Sequence, residues 1–186
     1  GSVGVAFFLH NTGWTDRLAS GITDYGGAGG IANHVFRNNI IRVGKYVIEM
    51  KRAYPVILDY NLYFTSDPTK FGKYNDVNYM SLAALRAAYP VLEPNGRQGD
   101  PLLLADLTPS SASPAVDAGL YVAGVNEGFM GLAPDIGAVE SGATGTFYIL
   151  TLQAQGLGTT DPAPGTYSYL QGSSVSVRAT PGPGWQ

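Results

Sequence analysis

The sequence predicts an all-β chain of short stacked strands, a solenoid, on three observations. Helical periodicity is nearly absent. Gly at 25 and Pro at 12 of 186 positions break the chain into brief extended runs. Two of those runs also repeat, with asparagines at equivalent places. Hydrophobic residues at 45% supply material for a core and argue against wholesale disorder. An antiparallel sandwich with Asn-rich turns has equally short strands and is the alternative.

The strands expected, in order, are 5–9, 35–42, 46–50, 56–64, 147–153, 167–170 and 174–179, each bounded by Gly, Asn, Asp or Pro. The glycine patch Tyr25-Gly-Gly-Ala-Gly-Gly30 lacks a following Lys-Ser/Thr and a helix, so it reads as a loop and not a phosphate cradle. Phe36-Arg-Asn-Asn-Ile-Ile-Arg42 aligns with Leu58-Asp-Tyr-Asn-Leu-Tyr-Phe64, placing Asn39 over Asn61 and Asn38 over Tyr60. Repetition near a 20–30-residue period is the mark of stacked repeats. Asn tolerates the left-handed backbone of a tight corner, and stacked Asn side chains can hydrogen-bond from repeat to repeat. One helix is expected, Ser81-Leu-Ala-Ala-Leu-Arg-Ala-Ala-Tyr89. There Leu82, Leu85 and Tyr89 share a stripe, Ser81 caps the start and Pro90 stops it.

Composition removes several functions. With 11 basic and 14 acidic residues the net charge is −3, without a basic block, which argues against a nucleic-acid partner. No apolar run approaches the ~18 residues of a membrane-spanning helix. The absence of Cys excludes disulfides, thiolate zinc sites and a cysteine nucleophile. No Gly-x-Ser-x-Gly serine-hydrolase motif is present.

An ordered series of motifs runs from about Ile31 to Glu140. It comprises Val35-Phe-Arg-Asn-Asn-Ile-Ile41, Asp59-Tyr-Asn-Leu-Tyr63, the short helix, Asp100-Pro-Leu102, Ser113-Pro-Ala-Val-Asp-Ala-Gly119 and Asp135-Ile-Gly-Ala-Val-Glu140. The series resembles the C-terminal part of right-handed parallel β-helix proteins of the pectate-lyase-like superfamily. That resemblance implies a secreted or surface-exposed bacterial protein, with residues 1–140 forming the last coils and cap of such a helix. Only one or two coils match, so a catalytic groove built on earlier coils falls outside this chain. Ser141-Gly-Ala-Thr-Gly145 reads as a linker. Residues 146–186, with Tyr148-Ile-Leu-Thr-Leu152, Pro164-Gly-Thr-Tyr167 and Gly172-Ser-Ser-Val-Ser-Val177, resemble the bacterial repeat related to the internalin B-repeat, cut short after Trp185. Further domains of a longer parent chain are expected.

Four groups of side chains are weighed as sites. Glu49 and Lys51 share a strand face. The superfamily's lyase chemistry, in which a base removes a proton beside a sugar carboxylate and calcium offsets the charge, implies Lys51 as base and Glu49 as a calcium ligand. Exposed Lys and Glu on a strand are more often only solvated. Five tyrosines, Tyr46, Tyr54, Tyr60, Tyr63 and Tyr74, crowd one stretch and suit stacking on polysaccharide, although alternation along strands sends about half of such a set inward. Asp117 and Asp135, with Glu140, are expected in structural roles, accepting backbone N–H groups in turns and closing the open end of the solenoid. His10 and His34, 24 residues apart, read as neighbours on adjacent repeats with a turn role, since two histidines without a third ligand fall short of a metal site. The function expected is therefore a surface domain engaging polysaccharide without a complete catalytic site. A polysaccharide lyase or glycoside hydrolase, and a purely structural stalk or adhesin segment, are the alternatives.

Overall fold

The structure is a computed structural model, and it describes residues 6–15, 19–24, 33–53, 55–142, 147–170 and 175–184. The chain is mostly β with one short helix. It divides into two compact units, Gly1–Glu127 with Leu132–Ser141, and Gly128–Gly131 with Gly142–Gln186.

In the first unit the chain passes three times through the same three sheets in the same order. The first pass is β1 (Phe7–Leu9), β2 (Thr12–Trp14) and β3 (Ile22–Asp24). The second is β4 (Val35–Arg37), β5 (Ile40–Val43) and β6 (Ile48–Met50). The third is β7 (Ile57–Asp59), β8 (Leu62–Thr65) and β9 (Gly72–Tyr74). The first sheet is ordered β1-β4-β7, the second runs β2-β5-β8 and the third β3-β6-β9, all parallel. Ile40 pairs with Leu62 and Ile41 with Tyr63. The segments around Asn39 and Asn61 therefore lie side by side and run the same way, which excludes the antiparallel sandwich for this unit.

Each expected long strand is broken where a two-residue corner turns the chain from the first sheet into the second. At these corners His10, Asn38 and Tyr60 take left-handed φ values of 50°, 55° and 56°. The residue that follows each, Asn11, Asn39 or Asn61, points along the stack. The division of labour differs from the expectation that one Asn does both jobs. The Asn39 amide donates to Asn61 Oδ1 at 2.8 Å, and the Asn39 backbone N–H donates to the same oxygen at 3.0 Å. Asn11 repeats both bonds onto Asn39 Oδ1 at 2.9 and 3.0 Å. Each of the two inner amides also donates to a backbone oxygen of the preceding pass, Asn39 to Phe8 and Asn61 to Phe36. A buried amide at this corner thus meets its hydrogen-bonding needs only if an acceptor lies below it, another amide for Asn39 and the Glu93 carboxyl for Asn61.

Alternation along the strands fills the interior. Phe36, Ile41, Ile48, Met50, Leu58, Tyr63, Phe71 and Tyr74 form the main core. Phe8 stacks on Phe36 with ring centroids 4.6 Å apart. The far end of the stack is covered by β10 (Val77–Tyr79), which turns back antiparallel on β9, by α1 (Leu82–Ala88), and by β11 (Arg97–Gln98), which pairs parallel with β8. Ser81 caps α1 by accepting the Ala84 N–H, and Leu82 and Leu85 sink into the core, as the sequence predicts.

Asp117 and Asp135 do accept backbone N–H groups, but at a different place from the expected end closure. Asp135 takes the Asp117 N–H at 2.8 Å and that of Ser141, while Asp117 takes the Leu132 N–H at 2.7 Å. The Asp135 N–H is received by Glu140 at 3.0 Å. These bonds fold residues 113–127 and 132–140 into a strap along the outside of the second sheet. There Ala115, Ala118 and Ile136 cover Ile40 and Leu62 in a second, smaller core. Gly137 (φ 116°) permits that approach, because a Cβ there would lie 2.7 Å from Ile40 Cδ1.

In the second unit β12 (Phe147–Leu152) pairs antiparallel with β14 (Gly165–Leu170), and β13 (Thr159–Asp161) with β15 (Arg178–Thr180). Residues 143–145 of the expected linker, the glycine patch and Trp185 lie outside the described residues.

Candidate polar flank on the third sheet

In the third sheet Met50 and Tyr74 point into the core, so the residues beside them in register, Thr23, Glu49 and Lys73, form an outward row. The row continues to Asn78 of β10, which pairs with Lys73. The connections from the second sheet to the third, residues 44–47 and 66–71, flank it.

This flank gathers every lysine of the chain: Lys45, Lys51, Lys70 and Lys73. Lys45 lies 3.4 Å from the Glu49 carboxylate, which also accepts the Ser20 hydroxyl. Lys70 meets Asp67 at 2.5 Å and Lys73 meets Asp76 at 2.7 Å. The Lys70 ammonium and the Thr69 side-chain and backbone donors hold the Asp67 carboxyl down at about 2, while the same contact raises Lys70. Lys73 lowers Asp76, with a smaller contribution from Lys51, and Asp76 raises Lys73, with Glu49 and Tyr46 adding to the effect. Tyr46 lies at the centre of the group. Its hydroxyl reaches Asn78 Oδ1 at 3.3 Å, and Lys45 Nζ sits 5.2 Å from its ring centroid. Chemically the flank offers ammonium donors, carboxylate and amide acceptors and a half-exposed aromatic ring within one small area. That assortment suits a polyhydroxylated ligand.

The tyrosines expected to bind sugar separate. Tyr63 and Tyr74 are buried at 0% and 3% exposure, so neither can stack on a ligand. Tyr63 donates to Glu93 at 2.6 Å, and Tyr74 packs edge-on to Tyr89 at 4.7 Å. The cause is strand parity, since both occupy inward positions. Tyr60 is a half-buried corner residue, Tyr46 belongs to the flank, and Tyr54 lies outside the described residues. Glu49 is nearly buried on β6 and Lys51 is exposed just beyond it. The Glu49 carboxylate meets a lysine and a hydroxyl, a setting unlike the several converging oxygens that calcium takes. Among the described residues no three acidic or histidine side chains converge as a metal site. His10 and His34 do not stack either: His10 registers with Asn38, while His34 precedes Val35, the partner of Phe7.

Sequence reasoning missed Glu93. It is fully buried and ends the amide column, accepting from Asn61 Nδ2 at 2.5 Å and from Tyr63. Burial pushes its carboxyl up to about 7, against the pull of those donors. The only hint in the sequence is an acidic residue between Leu92 and Pro94 after the helix, which reads as an ordinary turn. In the second unit a groove of about 460 Å³ is lined by Gln153, Leu157, Thr159 and Thr180, among others, without a charged side chain. No protein-family model matches this chain, and neither a curated protein nor a solved structure matches it.

Proposed function

We propose that this chain is the C-terminal part of a right-handed parallel β-helix of the pectate-lyase-like kind, working outside the cell, and that it engages polysaccharide on the polar flank of its third sheet. The observation that carries the reading is the gathering of all four lysines with Glu49, Asp67, Asp76, Asn78 and Tyr46 on one face of stacked repeats. Parallel register sets Thr23, Glu49 and Lys73 side by side at the strand spacing of about 4.8 Å, so a chain ligand meets a polar group at each successive position. The motifs that resemble the superfamily's closing segment support an extracellular setting.

The test is a binding screen across neutral and acidic polysaccharides, followed by titration of Tyr46→Ala and Lys73→Ala on whichever polymer binds. Loss of about 1–2 kcal/mol from each variant, with an unchanged fold, is the expected result. Absence of binding across the screen, or binding indifferent to both substitutions, overturns the assignment and leaves a load-bearing stalk as the reading.

A further inference from the structure

We propose that His10 is a proton-operated latch: its neutral ring holds the strap against the second sheet, and protonation at Nε2 releases residues 120–126. The argument rests on hydrogen-bond direction. The Asn38 side-chain oxygen accepts the Leu120 N–H at 2.7 Å, which fixes which end of that amide is nitrogen. The Asn126 side-chain oxygen accepts the Val122 N–H at 2.7 Å, which fixes the second amide in the same way. Both amide nitrogens then point at the same two acceptors. Asn38 Nδ2 reaches His10 Nε2 at 2.7 Å and the Leu120 carbonyl at 2.7 Å; Asn126 Nδ2 reaches them at 2.7 and 2.9 Å. His10 Nε2 must therefore carry a lone pair. The ring proton sits on Nδ1 and is donated to the Gly137 carbonyl at 3.2 Å.

A proton on Nε2 would face two N–H donors. Neither amide can flip to receive it, because each flip sets an NH2 against the backbone N–H that now orients it. The charged ring is accommodated only by parting the strap from the corner. Burial already pushes the imidazole below its usual 6.5, with the Gly137 carbonyl pulling the other way. The charged and titratable groups nearest these partners are otherwise engaged. Asp135 receives the Asp117 and Ser141 N–H groups, Asp117 that of Leu132, and Glu127 that of Gly124. Tyr60 occupies the equivalent corner two passes away, and His34 lies against Phe8 at 6.1 Å.

The strap is one covering of the apolar pair Ile40 and Leu62, so release loosens the edge of the second core next to Ala118. The main core, built on the opposite face of those strands, keeps its packing. The latch therefore predicts a local opening with a pH midpoint, distinct from global unfolding.

The experiment is NMR on the whole chain between pH 8 and 4.5. It follows the His10 ring carbon and the exchange protection, corrected for intrinsic rates, of the Leu120, Val122 and Gly137 amides. The expected result is a His10 midpoint below 6.5, with strap protection falling about tenfold per pH unit beneath it while Ile41 and Leu58 stay protected. His10→Gln, whose side-chain oxygen offers a non-titrating acceptor, should abolish that pH dependence. Strap protection that ignores the His10 titration overturns the latch, as does the same loss in His10→Gln. Should the variant fail to fold, the coincidence of midpoints in the unaltered chain decides the matter by itself.

Discussion

Replacing Glu93 by Gln isolates the energetic consequence of ending an amide column on a buried acid. The folded carboxyl holds its proton up to about 7, against 4.5 for an ordinary glutamate. Below 4.5 both folded and unfolded chains are protonated there, and the favourable contribution is complete. Between 4.5 and 7 the unfolded chain releases a proton that the folded chain keeps, so stability falls as pH rises. It has fully gone once pH passes 7. At about 1.4 kcal/mol per decade the difference is on the order of 3 kcal/mol. The variant lacks this slope. Its side-chain oxygen can still accept from Asn61 Nδ2 and Tyr63, and only the 3.3 Å bond from the Asn61 backbone N–H to Glu93 Oε2 is lost. That loss adds a constant penalty of about 1 kcal/mol. His10, with its lowered value, acts in the opposite direction, giving stability that is present above 6.5 and lost as pH falls. It is common to both proteins and cancels in their difference. Urea unfolding followed by NMR signals of β5 and β8 at pH 4.5, 5.5, 6.5, 7.5 and 8 reads the first unit alone. The variant should gain about 3 kcal/mol on the parent across that range. A difference that stays constant with pH, or runs the other way, refutes the reasoning.

Three other substitutions test the scaffold. Asn39→Ala strands the Asn11 donors and removes the partner of a fully buried amide, so it should cost about 2–4 kcal/mol in urea unfolding. Asn11→Ala, at the exposed end of the same column, should cost about 1 kcal/mol or less in that assay. Gly137→Ala places a methyl against Ile40 at φ 116° and should cost roughly 2–3 kcal/mol, with lost exchange protection at Ile136 as its signature.

The repeat was legible because the corner is rigid. Two residues, one left-handed and one amide, separate the first sheet from the second in every pass, so Asn39 and Asn61 recur in the sequence at a spacing of 22. The first pass was not found, because its separation is 28 and its corner begins with His10 in place of Asn. The extra length falls between strands, in residues 15–21 and 25–34 against 44–47 and 51–56. That variability also suggested the false pairing of His10 with His34. Three-residue strands such as β3 and β9 carry too little alternation to announce themselves. For the flank, the sequence marked Glu49, Lys51 and Tyr46 but left open which tyrosines face outward. Parity is set by register, and one residue of offset sends Tyr63 inward. The helix was readable because its cap, its stripe and its terminating proline agree.

The amide column has a direction. Every side-chain amide passes its hydrogen the same way, from Asn11 toward Glu93, and the series stops at a group with oxygens alone. A protein made this way can lengthen or shorten by whole windings without renegotiating its corners, because any junction of amide on amide repeats the same handshake. The side that receives hydrogens closes on a single specialised residue, whereas the Asn11 side keeps an amide of the kind the column repeats. Growth by duplication is therefore simplest at the Asn11 side, and the acid at position 93 marks where such growth must halt.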